Sequence, residues 1–343
     1  MKKFQCAIVG AGNIGHIHAQ AFAGIPQAEL AAIYDHNFES AQKLAQRFST
    51  QAVTSLEAIL HDPAIDIVSI CTPSGTHARI AVPAARNGKH LLVEKPLDIT
   101  LESVDQILES ARQNKVVLTG IFPSRFRIGT QKTYEAIQNG RLGQIVFIQG
   151  NVKWYRPATY YEGTWRGTLE LDGGGALMNQ SIHTIDLMLW FGGAVKMIYG
   201  HTATLHHQIE AEDSATALLQ FRNGAQGVIQ GATSCWPGDP ARIEIHAERG
   251  TIVLEEGRIV RWDVQNATSE EVAEMLSLDA VTAGGSQDPM GISFEFHQLQ
   301  IKDFIEAIQE NRPPYVPGEE ARKAVEVILA IYQSARTGQP VPL

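Results

Sequence analysis

The 343-residue sequence predicts an α/β protein: an N-terminal doubly wound parallel sheet, then a C-terminal α/β domain with an open, mostly antiparallel sheet. Three observations carry this. The first third alternates short apolar runs with segments of helical period. A glycine-rich turn follows the first apolar run and opens a helix. After Phe122 the pattern changes to short strands joined by turn signals.

Phe4 to Val9, apolar except for Gln5, reads as a buried strand. The glycines after it lead into a helix that reaches Gly24. Leu30 to Tyr34 is the second strand. Ala41, Leu44, Ala45 and Phe48 then recur at the helical period. Ile65 to Cys71 and Leu91 to Val93 are further strands, each followed by a helix. The helix after Val93 takes Thr100 as N-cap and Glu102 in its first turn, where the positive helix end favours a carboxylate. Val116 to Ile121 closes this part.

In the second part, Ala215 to Phe221 and Ala225 to Ala232 flank Arg222-Asn223-Gly224, a hairpin signal. Arg242 to Ala247, Thr251 to Leu254 and Ile259 to Trp262 form a meander. Two helices stand out, Ala176 to Phe191 and Glu319 to Ala335, the latter with Glu319 and Glu320 at its start and Arg336 at its end. Ala267 to Gln287 is polar and reads as a mobile loop. The expected domains are residues 1–121, residues 122–318, and a final helix in 319–343 packing back across both.

Composition narrows the function. With a net charge of −9 and no Lys/Arg run, neither nucleic acid nor an anionic membrane surface is an expected partner. The longest apolar run, Leu187 to Val195, is broken by Gly192 and Gly193 and is too short to cross a bilayer. Cys6, Cys71 and Cys235 form no C-x-x-C pair and read as reduced, mostly buried thiols. Met1 to Cys6 lacks an export-signal pattern, so a cytoplasmic protein is expected. No metal is expected: His16 and His18 point to different faces, and His206-His207 lack a cysteine or carboxylate cluster.

Gly10-Ala11-Gly12-Asn13-Ile14-Gly15 is a G-x-G-x-x-G between strand and helix. Its glycines allow a tight turn, close approach of a pyrophosphate, and close helix–strand packing, with the helix N-terminus facing the phosphates. Asp35 ends the second strand. Its carboxylate suits a ribose diol and repels a 2′-phosphate, and no arginine follows before Arg47, which favours NAD over NADP. Thr72, Pro73 and His77 follow the next strand, and Glu94-Lys95-Pro96 the one after, so both segments lie at the carboxyl edge where ligands bind. Lys95 there can polarise a hydroxyl, although a lysine is more often a plain surface residue. Asn179, His183 and Asp186, spaced i, i+4, i+7, share one helix face. A neutral His183 can take a proton, or it is a core histidine bonded to backbone.

Together the glycine-rich turn, Glu94-Lys95-Pro96, the triple glycine Gly173-Gly174-Gly175 before Asn179, His183 and Asp186, and the closing Ser334-Ala335-Arg336-Thr337-Gly338 resemble the glucose–fructose oxidoreductase/inositol dehydrogenase/MocA family. The resemblance spans the chain. It implies a Rossmann domain, a C-terminal sheet that often forms the face of a homodimer or homotetramer, and a pyridine-nucleotide oxidoreductase acting on a sugar, polyol or sugar derivative. By resemblance, Lys95 positions the reacting hydroxyl and His183 is the catalytic histidine of a D-x-x-x-H pair. Asn179 replaces the Asp of that pair and, as an amide, orients substrate or nicotinamide without relaying a proton. Asn179-Gln180-x-Ile182-His183 resembles an N-Q-x-I-H subgroup. The same resemblance places Trp165 and Arg166 against the cofactor, Tyr155 and Tyr161 near the sugar, and Arg125 in the domain crevice. Two alternatives stay open: a non-catalytic NAD-binding regulator, and an enzyme that cleaves glycosides through bound NAD.

Overall fold

The computed structural model describes residues 3–278 and 293–343. The chain divides into two compact units, Met1–Pro123 with Ile292–Arg322, and Ser124–Gly291 with Lys323–Leu343.

The first unit begins with β1 (Phe4–Val9), α1 (Asn13–Ala23), β2 (Ala28–Tyr34), α2 (Phe38–Arg47), β3 (Gln51–Ala52) and α3 (Leu56–Leu60). It continues with β4 (Ile67–Ile70), α4 (His77–Arg86), β5 (His90–Val93), α5 (Leu101–Gln113) and β6 (Leu118–Gly120). The six strands run in the order β3-β2-β1-β4-β5-β6 and every pair is parallel. This is a Rossmann sheet, whose order reverses between β1 and β4 and so leaves a ligand crevice beyond their carboxyl ends. Thr100 caps α5 as the sequence suggests, its hydroxyl accepting from Ser103 N at 3.1 Å.

The second unit starts with α6 (Ile128–Gln138) and β7 (Ile145–Lys153), followed by a π-helical turn, Ala176–Ser181, that runs into α7 (Ile182–Gly192). The strands β8 (Val195–Ala203), β9 (Ser214–Phe221), β10 (Gln226–Ala232), β11 (Arg242–Ala247), β12 (Gly250–Glu255) and β13 (Arg258–Val264) come next, then α8 (Ser269–Ser277). Two helices, α9 (Glu295–Glu310) and α10 (Gly318–Thr337), and a short β14 (Val341–Pro342) end the chain.

The eight-stranded sheet has the order β13-β12-β11-β7-β10-β9-β8-β14. It is mostly antiparallel, with β10 and β7 as a parallel pair. The expected hairpin at Arg222-Asn223-Gly224 joins β9 to β10. Gly150 gives α7 its seat on β7, since a Cβ there would lie 2.3 Å from the Met188 sulfur. Elsewhere the sheet leaves apolar side chains exposed: Val146, Phe147, Tyr199 and Leu218, with Tyr199 directly opposite Leu218.

Residues 293–318 belong with the first unit, because α9 sends Ile301, Phe304 and Ile305 into the core formed by Ile8, Phe22 and Ile33. The last helix is divided, Gly318–Arg322 counting with the first unit and the rest with the second. Ala267 to Gln287 is not irregular throughout: Thr268 accepts from Glu271 N at 3.1 Å and starts α8, while 279–287 lie outside the described residues. The cysteines are all free, but only Cys6 is buried; Cys71 is half-buried and Cys235 exposed. Among the described residues no helix is long and apolar enough to cross a membrane.

Candidate active site

The glycine-rich turn of the first unit is built by close packing. Gly10 has φ +104°, and a Cβ on it would lie 2.6 Å from the Cys71 carbonyl oxygen. A Cβ on Gly15 would lie 2.1 Å from the Gly10 carbonyl, which is how α1 sits down on the strand. Gly12 differs: nothing stands within 4 Å of its Cβ position. It is also the N-cap of α1 and supplies no side-chain cap, and the first turn holds no acidic residue. Asn13 and Ile14 therefore begin a helix whose N–H groups suit an anion. Asp35 holds the turn in place, Oδ2 accepting from Ala11 N at 2.7 Å and Oδ1 from Asn37 N at 2.8 Å.

Past β4, Thr76 donates its hydroxyl hydrogen bond toward Thr72 Oγ1 and the Pro73 carbonyl, shaping that loop. His77 is fully buried. Its Nδ1 lies 2.8 Å from the Pro96 carbonyl oxygen and its Nε2 2.9 Å from that of Thr72. His77, expected as a cofactor contact, ties the loop after β4 to the loop after β5 through both ring nitrogens.

Glu94, also expected against the cofactor, is buried and faces inward. Its Oε1 lies 2.9 Å from His18 Nε2 and its Oε2 accepts from the backbone N of Lys95 at 3.1 Å. His18 Nδ1 in turn lies 2.7 Å from Ser69 Oγ, and His297 Nε2 stands 3.9 Å from Glu94 Oε1. Burial disfavours its charge, but the His18 hydrogen bond and charge take the Glu94 pKa down to about 2. Burial likewise opposes a charge on His18, yet Cys71 and Glu94 raise its pKa to about 10. His297, with burial dominant, falls to about 4. The donor atoms of His18, Glu94 and His297 lie within 4.8 Å of one another. The 2.9 Å His18–Glu94 contact is of hydrogen-bond length. Lys95 itself is half-buried at the carboxyl end of β5.

In the second unit the triple glycine lets the chain pass beneath its neighbours. A Cβ on Gly174 would lie 2.1 Å from the Tyr332 hydroxyl, and one on Gly175 2.1 Å from the Glu212 carbonyl oxygen. The buried Glu212 carboxylate receives the start of the π-turn, accepting from Gly175 N at 3.0 Å and Leu177 N at 2.7 Å. Burial raises its pKa. Ser181 closes the wide turn by donating to the Ala176 carbonyl at 2.6 Å. Asn179 lies on this turn, and half-buried His183 on the first turn of α7. Such a turn within a helix often marks a functional site.

The residues expected on one face take different partners. Asn179 Nδ2 donates to Asp172 Oδ1 at 2.5 Å, whereas Asp186 takes two hydrogen bonds from Arg125, from Nε at 2.9 Å and Nη2 at 2.6 Å. Arg125 is thereby buried together with its carboxylate. Tyr161 is also turned inward: its hydroxyl donates to Thr233 Oγ1 at 3.0 Å, and burial pushes its pKa up. Tyr155 stands edge-on to the exposed Trp236, ring centroids 5.1 Å apart. Arg166 lies over the rings of Tyr160 and Trp165, at 4.6 and 5.4 Å.

Three residues given no role of their own in the sequence reading join this group. Asp172 immediately precedes the triple glycine and accepts from Gly167 N at 2.8 Å. Gln180 donates to Asn179 Oδ1 and to the Tyr160 hydroxyl, both at 2.9 Å. Arg156, buried between the rings of Trp154 and Tyr160, donates to Gln180 Oε1 at 2.9 Å. A usable signal was there, in an arginine set among aromatics and a carboxylate beside Gly173.

Known proteins match both halves. Residues 4–122 match the oxidoreductase family with an NAD-binding Rossmann fold, and residues 130–253 the GFO/IDH/MocA C-terminal domain. The crystal structure of the WlbA dehydrogenase from Bordetella pertussis, in complex with NADH and UDP-GlcNAcA, is 32% identical. It superposes with a TM-score of 0.89 over 100% of this chain and 99% of that one. The myo-inositol 2-dehydrogenase of Thermotoga maritima is 25% identical over 98% of this chain and 97% of its own. The UDP-N-acetylglucosamine 3-dehydrogenase of Acidithiobacillus ferrooxidans is 28% identical over 96% and 97%. With the Rossmann order, the glycine turn and both domain matches in hand, the chain belongs to the GFO/IDH/MocA family of NAD-binding oxidoreductases.

Proposed function

We propose that the chain interconverts a secondary hydroxyl and its ketone on a sugar, polyol or sugar derivative, with Lys95 and His183 as catalytic residues. The observation that carries this is the seating of Lys95: it lies two residues past the end of β5, at the ligand-binding edge of the Rossmann sheet, its backbone N–H held by Glu94. The residues fit NAD. Gly12 leaves open space beside an uncapped helix N-terminus, and Asp35 is a carboxylate at the end of β2. Gly10 to Gly15, Asp35, Thr72 and Pro73 hold the dinucleotide on this reading, and Trp165 and Arg166 are further cofactor contacts. When bound, NAD supplies the hydride acceptor or donor; the protein supplies orientation and electrostatics.

Lys95 stabilises the alkoxide oxygen by its charge, and His183 takes the hydroxyl proton in oxidation or returns it in reduction. Asn179 and Tyr155 orient the ligand. Identity to the WlbA dehydrogenase supports placing Asn179-Gln180-Ser181-Ile182-His183 in an N-Q-x-I-H subgroup and including nucleotide-linked sugar acids among the substrates to test. The exposed apolar positions Val146, Phe147, Tyr199 and Leu218 support a homodimer or homotetramer, which a solution mass measurement tests. The three free thiols support a cytoplasmic setting.

The decisive experiment is NAD reduction across a free pyranose, an inositol, an anhydro-sugar and a nucleotide-linked sugar acid. Lys95→Ala and His183→Ala should each lower kcat by roughly 10²–10⁴ on the active substrate. Near-wild-type turnover in both variants overturns the assignment.

A further inference from the structure

We propose that Asp172 is a positioning residue that fixes the polarity of the Asn179 side chain, so that Asn179 offers its carbonyl oxygen, not its amide nitrogen, to a ligand. The proposal rests on the dehydrogenase reading and goes beyond it, because it sets the direction of one hydrogen bond at the site.

The two ends of an amide are nearly the same size, so only its partners decide which end points where. Four side chains settle the matter here. Arg156 can only donate, and its Nη2 reaches Gln180 Oε1 at 2.9 Å. Gln180 is thereby turned with its Nε2 outward, and Nε2 donates to Asn179 Oδ1 at 2.9 Å. Asn179 passes the same sense along, its Nδ2 donating to Asp172 Oδ1 at 2.5 Å. Asp172 can only accept, and its other oxygen accepts from Gly167 N at 2.8 Å. Donor-only cation, amide, amide and acceptor carboxylate form a one-way series, buried at Arg156, Gln180 and Asp172. Turning either amide over would set oxygen against oxygen or N–H against N–H at both of its ends. Low local dielectric strengthens such a series and raises the penalty for breaking it.

Asn179 is the half-buried member and lies on the turn that leads into His183. Its oxygen accepts from a donor, and the two ligands supply two: a sugar hydroxyl and the carboxamide N–H of nicotinamide. Asp172 therefore provides, one hydrogen bond away, the negative charge that position 179 itself lacks.

A double-mutant cycle tests this. Asp172→Asn removes the determinant of the series. Asn179→Asp sets two carboxylates in contact and adds an acid-side inflection to the pH profile of kcat/KM. The exchange Asp172→Asn/Asn179→Asp restores one amide and one carboxylate. Gly167 N and Gln180 Nε2 keep acceptors, and position 179 keeps an oxygen. Each single variant should weaken sugar KM or NADH Kd by roughly tenfold or more, the size of a charge-assisted hydrogen bond. The exchange should recover at least tenfold over the product of the singles and lose the added inflection. Recovery in NADH Kd, measured by fluorescence titration, assigns the donor to the carboxamide; recovery in sugar KM assigns it to a hydroxyl. Additive singles, or a wild-type-like Asp172→Asn, overturn the proposal. Should Asp172→Asn not fold, Asn179→Asp compared with the exchange carries the test. A wild-type chain that binds NADH but reduces NAD with no sugar defeats the dehydrogenase reading instead, and the Kd arm of the cycle still decides this one.

Discussion

His18 Nε2 and Glu94 Oε1 meet at 2.9 Å in the buried interior of the first unit, and the other Glu94 oxygen accepts from the N–H of Lys95 at 3.1 Å. The pair ties the middle of α1 to the residue before the proposed catalytic lysine, and it makes stability depend on pH. Glu94 is depressed from 4.5 to about 2, so its contribution is present above 4.5 and lost as pH falls toward 2. His18 is raised from 6.5 to about 10, so its contribution is full below 6.5 and lost as pH rises toward 10. His297, lowered from 6.5 to about 4, is held neutral in the fold and costs stability as pH drops through that window. The thermal midpoint should therefore peak near the ordinary histidine value of 6.5. His18→Asn should flatten the alkaline limb and His297→Asn the acid limb. An unchanged alkaline limb in His18→Asn means that the histidine carries no charge there.

The glycine turn separates folding from binding at two positions. In Gly15→Ala the new methyl would stand 2.1 Å from the Gly10 carbonyl, so α1 must move and the thermal midpoint should fall. In Gly12→Ala nothing lies within 4 Å, and the midpoint should hold while NADH Kd rises by roughly tenfold or more. Melting curves and NADH fluorescence titration check both. A Gly12→Ala variant that binds NADH normally removes the pyrophosphate from that position.

What the sequence makes legible here is what neighbours in the chain decide. The strand Phe4–Val9, the Thr100 cap and the turn at Arg222-Asn223-Gly224 each depend on a few adjacent residues, and each is found where its local signal lies. The glycine turn and Asp35 follow from the same short-range logic. The spacing of Asn179, His183 and Asp186 assumes 3.6 residues per turn, so the π-turn at Ala176–Ser181 and the contacts of Asn179 with Asp172 and of Asp186 with Arg125 are not legible in it. Ile301, Phe304 and Ile305 do have helical spacing, but nothing local says that they fill a core with Phe22. His18 and Glu94 belong to separate elements that only the folded sheet brings together.

Asp35 should govern the choice between NAD and NADP. Its carboxylate accepts from Ala11 N at 2.7 Å and so stands beside the glycine turn, where a 2′-phosphate would meet like charge. Asp35→Asn keeps an oxygen for Ala11 and removes the charge. The kcat/KM ratio of NAD over NADP should then fall by about tenfold or more, a change of about 1.4 kcal/mol per tenfold. A ratio that stays put shows that the selectivity lies elsewhere.

Arg125 offers the sharpest choice between a structural and a ligand-binding role. Its guanidinium meets Asp186 through two hydrogen bonds, with only 2% and 1% of the two side chains exposed, and it lies 5.2 Å from the Trp190 ring centroid. Trp190 is in turn stacked on Tyr134 with centroids 3.9 Å apart, so the pair anchors α7 to α6 as well as to the residues before it. Removing one member leaves a buried charge behind, which costs about 3–5 kcal/mol. At about 2–4 °C per kcal/mol for a unit of this size, Arg125→Met and Asp186→Leu should each lower the thermal midpoint by roughly 6–20 °C. The double variant Arg125→Met/Asp186→Leu should regain most of that loss, because paired hydrophobic replacements of a buried ion pair are often neutral. If instead Arg125→Met melts like the wild type and raises only the sugar KM, the guanidinium reads substrate, and the ion pair with Asp186 serves to aim it.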